Sequence, residues 1–152
     1  MIYRILIIAF FLVGVDVTSS AQTGLNIEEL FNGQFRDDKN TTETIITGEP
    51  LYDYNLGYYH SLTFSDAQSK VDIIEPLVVR DGAKAVDKEV SYRGGKLYYA
   101  FYSLSPGKSK SGKNVNRYLF YLNQYAVGRD GLIIIYLSGS ASREQVKNML
   151  KK

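Results

Sequence analysis

The spacing of hydrophobic positions changes along the chain, and each change marks an element. From Ile5 to Val15 the residues are apolar without a break. After a polar stretch, Ile27, Leu30, Phe31 and Phe35 fall at helical spacing. Asn26 is placed to cap, and Glu28 and Glu29 sit in the first turn, where the helix dipole favours negative charge. This predicts a short helix ending near Gly33 to Phe35. "TTETIIT" (41–47), β-branched and bounded by Gly48 and Pro50, predicts a strand; "YYHSLTF" (58–64) predicts another, with Tyr58, His60, Leu62 and Phe64 on one face. Ser65 then opens a capping-box pattern with Gln68, and Ala67, Val71, Ile74 and Val78 hold helical phase. Pro76 inside that run predicts a kink or an early end, and Gly82 a stop.

From Lys84 onward the pattern is one of strands. "AVDKEVSYR" and "KLYYAFYSL" flank Gly94-Gly95, a two-residue hairpin signal, because glycine accepts the positive φ of a tight turn. "NRYLFYLNQY" and "LIIIYLSG" follow, separated by the turn cluster "AVGRDG". Ser142 with Gln145 forms a second capping box before the stripe Val146, Met149 and Leu150. Hairpin-linked strands with few helices predict an α+β fold. We expect an antiparallel sheet of four to six strands, residues 86–138 forming one meander, with two or three helices packed mainly on one face.

A sheet with one wet face alternates apolar with polar residues, and the later strands do not. Strict alternation puts Leu97, Tyr99 and Phe101 on one face of strand 96–104, and Tyr98, Tyr102 and Leu104 on the other. The next strand sets Tyr118, Phe120 and Leu122 against Leu119 and Tyr121; the last sets Ile133, Ile135 and Leu137 against Leu132, Ile134 and Tyr136. Either both faces are covered, or a tyrosine face stays open to stack on sugar rings or peptide side chains, or it pairs with a second copy. The helices expected over 66–80 and 142–151 carry one apolar stripe each, enough for a single face. The other would leave Tyr98, Tyr102 and Tyr121 within reach of solvent as candidate contact residues.

The apolar run at the N-terminus changes the picture next. Arg4 precedes its 11 residues, and Ser19 and Ala21 occupy the small-residue positions before Gln22, the layout of a secretory signal peptide. A membrane span takes about 20 apolar residues, so this run is too short for one. We expect residues 1–21 to be a signal peptide and 22–152 a single exported domain, periplasmic or extracellular, with no membrane span after cleavage. No cysteine is present, which excludes disulfides, thiolate metal sites and cysteine nucleophiles. The net charge is +2, and the leader carries one charge of each sign (Arg4 and Asp16). That balance is too weak to argue for nucleic acid.

Candidate chemistry is sparse. His60 is the only histidine, and no G-x-S-x-G elbow accompanies it. Asp87 and Glu89 share one face of a predicted strand, the arrangement of a carboxylate pair, but nearby lysines make ion pairing the simpler account. "SPGKSKSGK" and the residues after it carry Lys108, Lys110, Lys113 and Arg117 without an acid, and lack the spacing of a phosphate loop. This is a candidate site for an anionic glycan or phosphate group, or else a solvated hairpin tip. Nothing in the pattern calls for a cofactor or a metal.

"LNIEELFNG", "DGAKAVDKEVSYRGGKLYYAFYSLSP" and "NRYLFYLNQ" together resemble an uncharacterised family of small exported Bacteroidetes proteins, a domain of unknown function. The resemblance covers nearly all of the chain after the leader and is most specific over 81–106. It implies a Gram-negative envelope address and a small α+β domain, and it brings no catalytic residue. The function expected is that of a non-enzymatic binding or accessory domain of the envelope, its partner a protein or a glycan. A small carboxylate-dependent hydrolase, or a structural subunit assembling as a homo-oligomer through its sheet, are the alternatives. N-terminal sequencing of the secreted protein is expected to begin at Gln22; a chain still starting at Met1 would remove the export reading.

Overall fold

The computed structural model describes residues 22–109 and 111–151; the leader lies outside them. Six strands form one antiparallel sheet: β1 (Thr41–Thr47), β2 (Leu56–Phe64), β3 (Asp87–Arg93), β4 (Lys96–Lys108), β5 (Asn114–Asn123) and β6 (Leu132–Gly139). Their order across the sheet is β1-β2-β6-β5-β4-β3. The α+β class is therefore as expected, and β3 to β6 form the meander. β2 enters beside β6, so it runs parallel in direction to β3 although four strand spacings, roughly 19 Å, separate them. A helix, α1 (Ala67–Ala83), makes that crossing over one face. The second helix, α2 (Arg143–Leu150), packs on the opposite face. Among the described residues no helix is long and apolar enough to cross a membrane.

The two faces have separate cores. Under α1 lie Leu62, Phe64, Leu97, Tyr102, Leu119, Tyr121, Ile134 and Tyr136, closed off by Ile27 and Leu30 of a 3-10 helix (Asn26–Phe31). Under α2 lie Tyr59, Phe101, Tyr118, Phe120, Ile135 and Leu137, closed off by Leu51 of a second 3-10 helix (Glu49–Tyr54). The helices thus divide between the faces, and the doubly apolar pattern of β4, β5 and β6 follows from burial on both sides.

Local signals behaved unevenly. Gly94 and Gly95 hold φ of 57° and 79°, as the two-residue turn requires. The Ser142–Gln145 capping box is formed in both directions. At the other helix the box is absent: Asp66 is the N-cap, and Ser65 instead bonds the Asn40 carbonyl through its backbone N–H. Asn26 does not cap either; Leu25 holds that position, and the backbone and side-chain amides of Asn26 donate to Asp81. Pro76 does not end α1, which continues to Ala83. Pro76 and Asp72 both face solvent, so water is free to take the carbonyl that proline leaves without a donor. Gly82 is inside the helix, not its stop, and its role is steric: a Cβ there would collide with the Tyr102 ring.

A β-bulge in β4 changes which residues share a face. Ser91 of β3 pairs with Tyr99 and Tyr92 pairs with Leu97, which leaves Tyr98 as the extra residue. Leu97, Tyr102 and Leu104 consequently belong to the α1 face, while Tyr98, Tyr99 and Phe101 pack together on the α2 face. The Leu97 N–H is taken by the Glu75 carboxylate of α1 at 2.8 Å.

Two substitutions test this packing by chemical denaturation. Gly82→Ala is expected to cost about 1–3 kcal/mol by overpacking against Tyr102, and the loss should shrink when Tyr102→Leu is added. Gly94→Val should cost a similar amount, about 1–3 kcal/mol, through strain at positive φ.

Candidate functional site

The register defines the surface that the helices leave open. On the α2 face the residues line up in rows across all six strands. One row reads Thr44, Ser61, Ile135, Phe120, Phe101, Glu89, and its centre is buried beneath α2. The row beside it, nearer the β3–β4 turn, reads Thr42, Thr63, Ile133, Leu122, Tyr99, Ser91. Here Thr42 and Thr63 are exposed, Ile133, Tyr99 and Ser91 are half-buried, and only Leu122 is closed. α2 is eight residues long, about 12 Å, too short to cover every row. The bulge adds Tyr98 to this open row, half-buried, with the Arg93 guanidinium 5.6 Å from its ring centre. Tyr99 packs edge-on to Phe120 at 5.7 Å, which fixes its ring while one side stays accessible.

The sequence-predicted tyrosines separate accordingly. Tyr98 reaches solvent. Tyr102 and Tyr121 do not: they are 2% and 0% exposed beneath α1, so the expectation of an open face at these two rings is corrected. Strict alternation had grouped Tyr98 with Tyr102, and the bulge at Tyr98 breaks that parity. Burial pushes the Tyr102 phenol up to about 12, and raises that of Tyr121 as well. The Tyr121 hydroxyl has no hydrogen-bond partner among the described residues. Tyr99 and Ile133 are the surface residues that reading by parity missed, and no local signal marks a bulge inside "KLYYAF".

The basic residues do not form one patch. Lys108 donates to the Asn114 side chain at 2.9 Å and Lys113 is exposed near the same hairpin tip. Lys110 lies outside the described residues. Arg117 lies further along β5, in register with Leu104 and Ser138. Its guanidinium sits 6.0 Å from the Tyr136 ring centre and donates to the Thr23 carbonyl at 3.4 Å.

Each polar cluster that could carry chemistry is engaged in holding elements together. Arg143 and Lys147 of α2 clamp Glu89 at 3.1 and 2.7 Å, and Arg143 also reaches Asp87 at 3.3 Å. Lys147, with Arg143, holds the Glu89 carboxyl below its ordinary range against the opposing effect of burial. The partners are thus cations of α2 rather than Lys84, Lys88 or Lys96. His60 is buried, its Nε2 2.6 Å from a Glu43 carboxylate oxygen. Its Nδ1 lies 3.2 Å from the Gln22 amide nitrogen and 3.0 Å from the Tyr58 hydroxyl. An amide nitrogen only donates, so Nδ1 accepts and the ring hydrogen on Nε2 points at Glu43. Phe31 closes over the imidazole at 4.5 Å. Two shallow depressions among the described residues are lined elsewhere, one around Asn55 and Asn148, the other around Lys84 and Arg117. Among the described residues no group of three His, Asp or Glu is placed to hold a metal ion.

Comparison with known proteins adds a family. The model described as Family of unknown function (DUF6108) matches residues 15–150, which contain every element above. The chain belongs to this family. No curated protein and no solved structure matches it. The DUF6108 domain is thus characterised by its own geometry: a sheet buried on both sides, with one row of the second face left open.

The buried phenols give a pH signature. Tyr102 and Tyr136 have ordinary values of 10.0 in the unfolded chain and about 12 when folded, because burial disfavours the phenolate. A raised folded value means that their contribution is intact below pH 10 and is lost as pH climbs to about 12. Alkaline unfolding of the DUF6108 domain should fall in that window, with tyrosinate absorbance and circular dichroism changing together. Tyr121→Phe should leave stability unchanged or raise it by up to about 1 kcal/mol, because it removes an unpaired buried hydroxyl.

Proposed function

We propose that this domain is an exported binding or accessory module of the bacterial envelope, and that it acts through the open row of its second sheet face. The observation that carries this reading is the grouping of Tyr98, Tyr99 and Ile133 at the end of the face that α2 does not reach. Rings held by neighbours yet accessible on one side suit contact with sugars or peptide side chains, since little side-chain entropy remains to be lost. Thr42, Thr63 and Ser91 border them with hydroxyls, the polar margin that hydrogen-bonds a hydroxylated or extended ligand. The ligand class favoured is a neutral or weakly anionic envelope glycan: Arg93 stands over Tyr98 as the cation nearest the row. Export to a Bacteroidetes envelope rests on the leader pattern and the resemblance of residues 81–106.

The test is a titration of envelope-derived glycan fragments, followed by calorimetry, with Tyr98→Ala and Tyr99→Ala. Each variant should weaken binding about tenfold, roughly 1.4 kcal/mol, without changing the circular dichroism spectrum. Tyr102→Ala is the contrast, expected to cost about 3–5 kcal/mol of stability as a core truncation. Unchanged affinity in both row variants would remove this surface as the binding site.

A further inference from the structure

The sheet ends in two open edges, β1 and β3, and they differ in character. Along β3 three of the four alternate residues on the α1 face are apolar yet exposed, Val86 just before the strand at 71%, Val90 at 43% and Tyr92 at 53%, with Lys88 among them. Val79 of α1, 42% exposed, joins them. It lies one turn from Glu75, which accepts the Leu97 N–H, and one turn from Gly82, whose carbonyl takes Lys88 Nζ, so it stands on the flank of α1 that faces β3. Four of the nine exposed large hydrophobics among the described residues therefore gather beside one open edge.

We propose that β3 pairs antiparallel with β3 of a second copy, about a two-fold axis at Val90, joining two sheets into one. The charges on the strand support this occupant. A two-fold axis normal to the sheet keeps like faces together, so the register must centre on a residue. Centred on Val90, all of Asp87–Arg93 overlaps with itself. Asp87 then stands opposite the other copy's Arg93 at both ends, Lys88 opposite Tyr92, Glu89 opposite Ser91, and Val90 opposite Val90. Opposite charges, a cation beside an aromatic ring and an apolar pair fill the ladder, each a favourable cross-strand pair. Centring on Lys88 or Glu89 sets like charges against each other, and centring on Ser91 shortens the overlap. On β1 the corresponding register, centred on Thr44, sets Glu43 against Ile45 twice. Edge charges that would repel a general partner thus specify this one.

Sedimentation equilibrium of the purified protein should show a reversible dimer. Val90→Lys places two ammonium groups opposite each other, and should raise the dissociation constant by about tenfold or more while the spectrum stays folded. Because the chain has no cysteine, Val90→Cys supplies a register probe: mild oxidation should crosslink it faster than Lys88→Cys, whose own position is not its partner. A wild-type protein that stays monomeric at millimolar concentration overturns the proposal. So does a dimer that Val90→Lys leaves intact, or equal crosslinking at the two positions.

Discussion

Everything in this fold answers to a sheet that is apolar on both faces. Tyr, Phe, Leu and Ile alternate with one another along β4, β5 and β6, so neither side can be left to water. The chain meets this demand unequally. One face receives the 17-residue α1, the first 3-10 helix and the segment leading into it. The other receives the eight-residue α2 and the second 3-10 helix. Burial is complete where the covering elements reach and graded where they stop. The open row of Tyr98, Tyr99 and Ile133 is the remainder of that coverage.

Several polar side chains serve the same demand, because they tie covering elements and incoming chain to the sheet or to one another. Asp81, near the end of α1, accepts the backbone N–H groups of Asn26 and Ile27 at 2.7 and 2.9 Å, replacing the side-chain cap that the first 3-10 helix lacks. His60 joins β1 through Glu43 to the incoming chain through Gln22. Glu89 holds α2 through two cations. Lys70 links Asp38 and Asp66, tying the connection before β1 to the start of α1. A carboxylate or imidazole taken up in this way is costly to leave without its partner, so these residues are fixed by structure.

What could be read from the sequence follows from how local each cause is. The Gly94-Gly95 turn and the Ser142–Gln145 box are decided within four residues, and both formed as read. The meander followed from hairpin spacing. Failures began where a distant residue decides. Gly82 looks like a helix stop until Tyr102, from another strand, is placed against it. The Ser65 pattern looks like a cap until Asn40 offers a competing carbonyl. The bulge at Tyr98 displaced the side-chain parity of the strand, which took Tyr98 off the α1-covered face that holds Tyr102 and set it beside Tyr99. A period-two argument has no means of detecting one inserted residue. Export and partner, which depend on a leader outside the described residues and on molecules outside the chain, rest on the sequence pattern and on proposal.

The strand order also sets how the chain must assemble. β3, β4, β5 and β6 are joined by short turns and can pair in succession, but β2 meets β6 only across the whole of α1 and the meander, as in Leu62 with Ile134. Loop-closure entropy delays such a pairing until the later strands are in place. Until then β6, with its uninterrupted Leu132–Leu137 run, is itself an exposed edge, uncharged and without proline. A strand of that composition is a template for aggregation. For this chain the vulnerable interval in biogenesis ends when β2 closes over β6, and the hairpin of β1 and β2 is in effect the guard of its most adhesive segment.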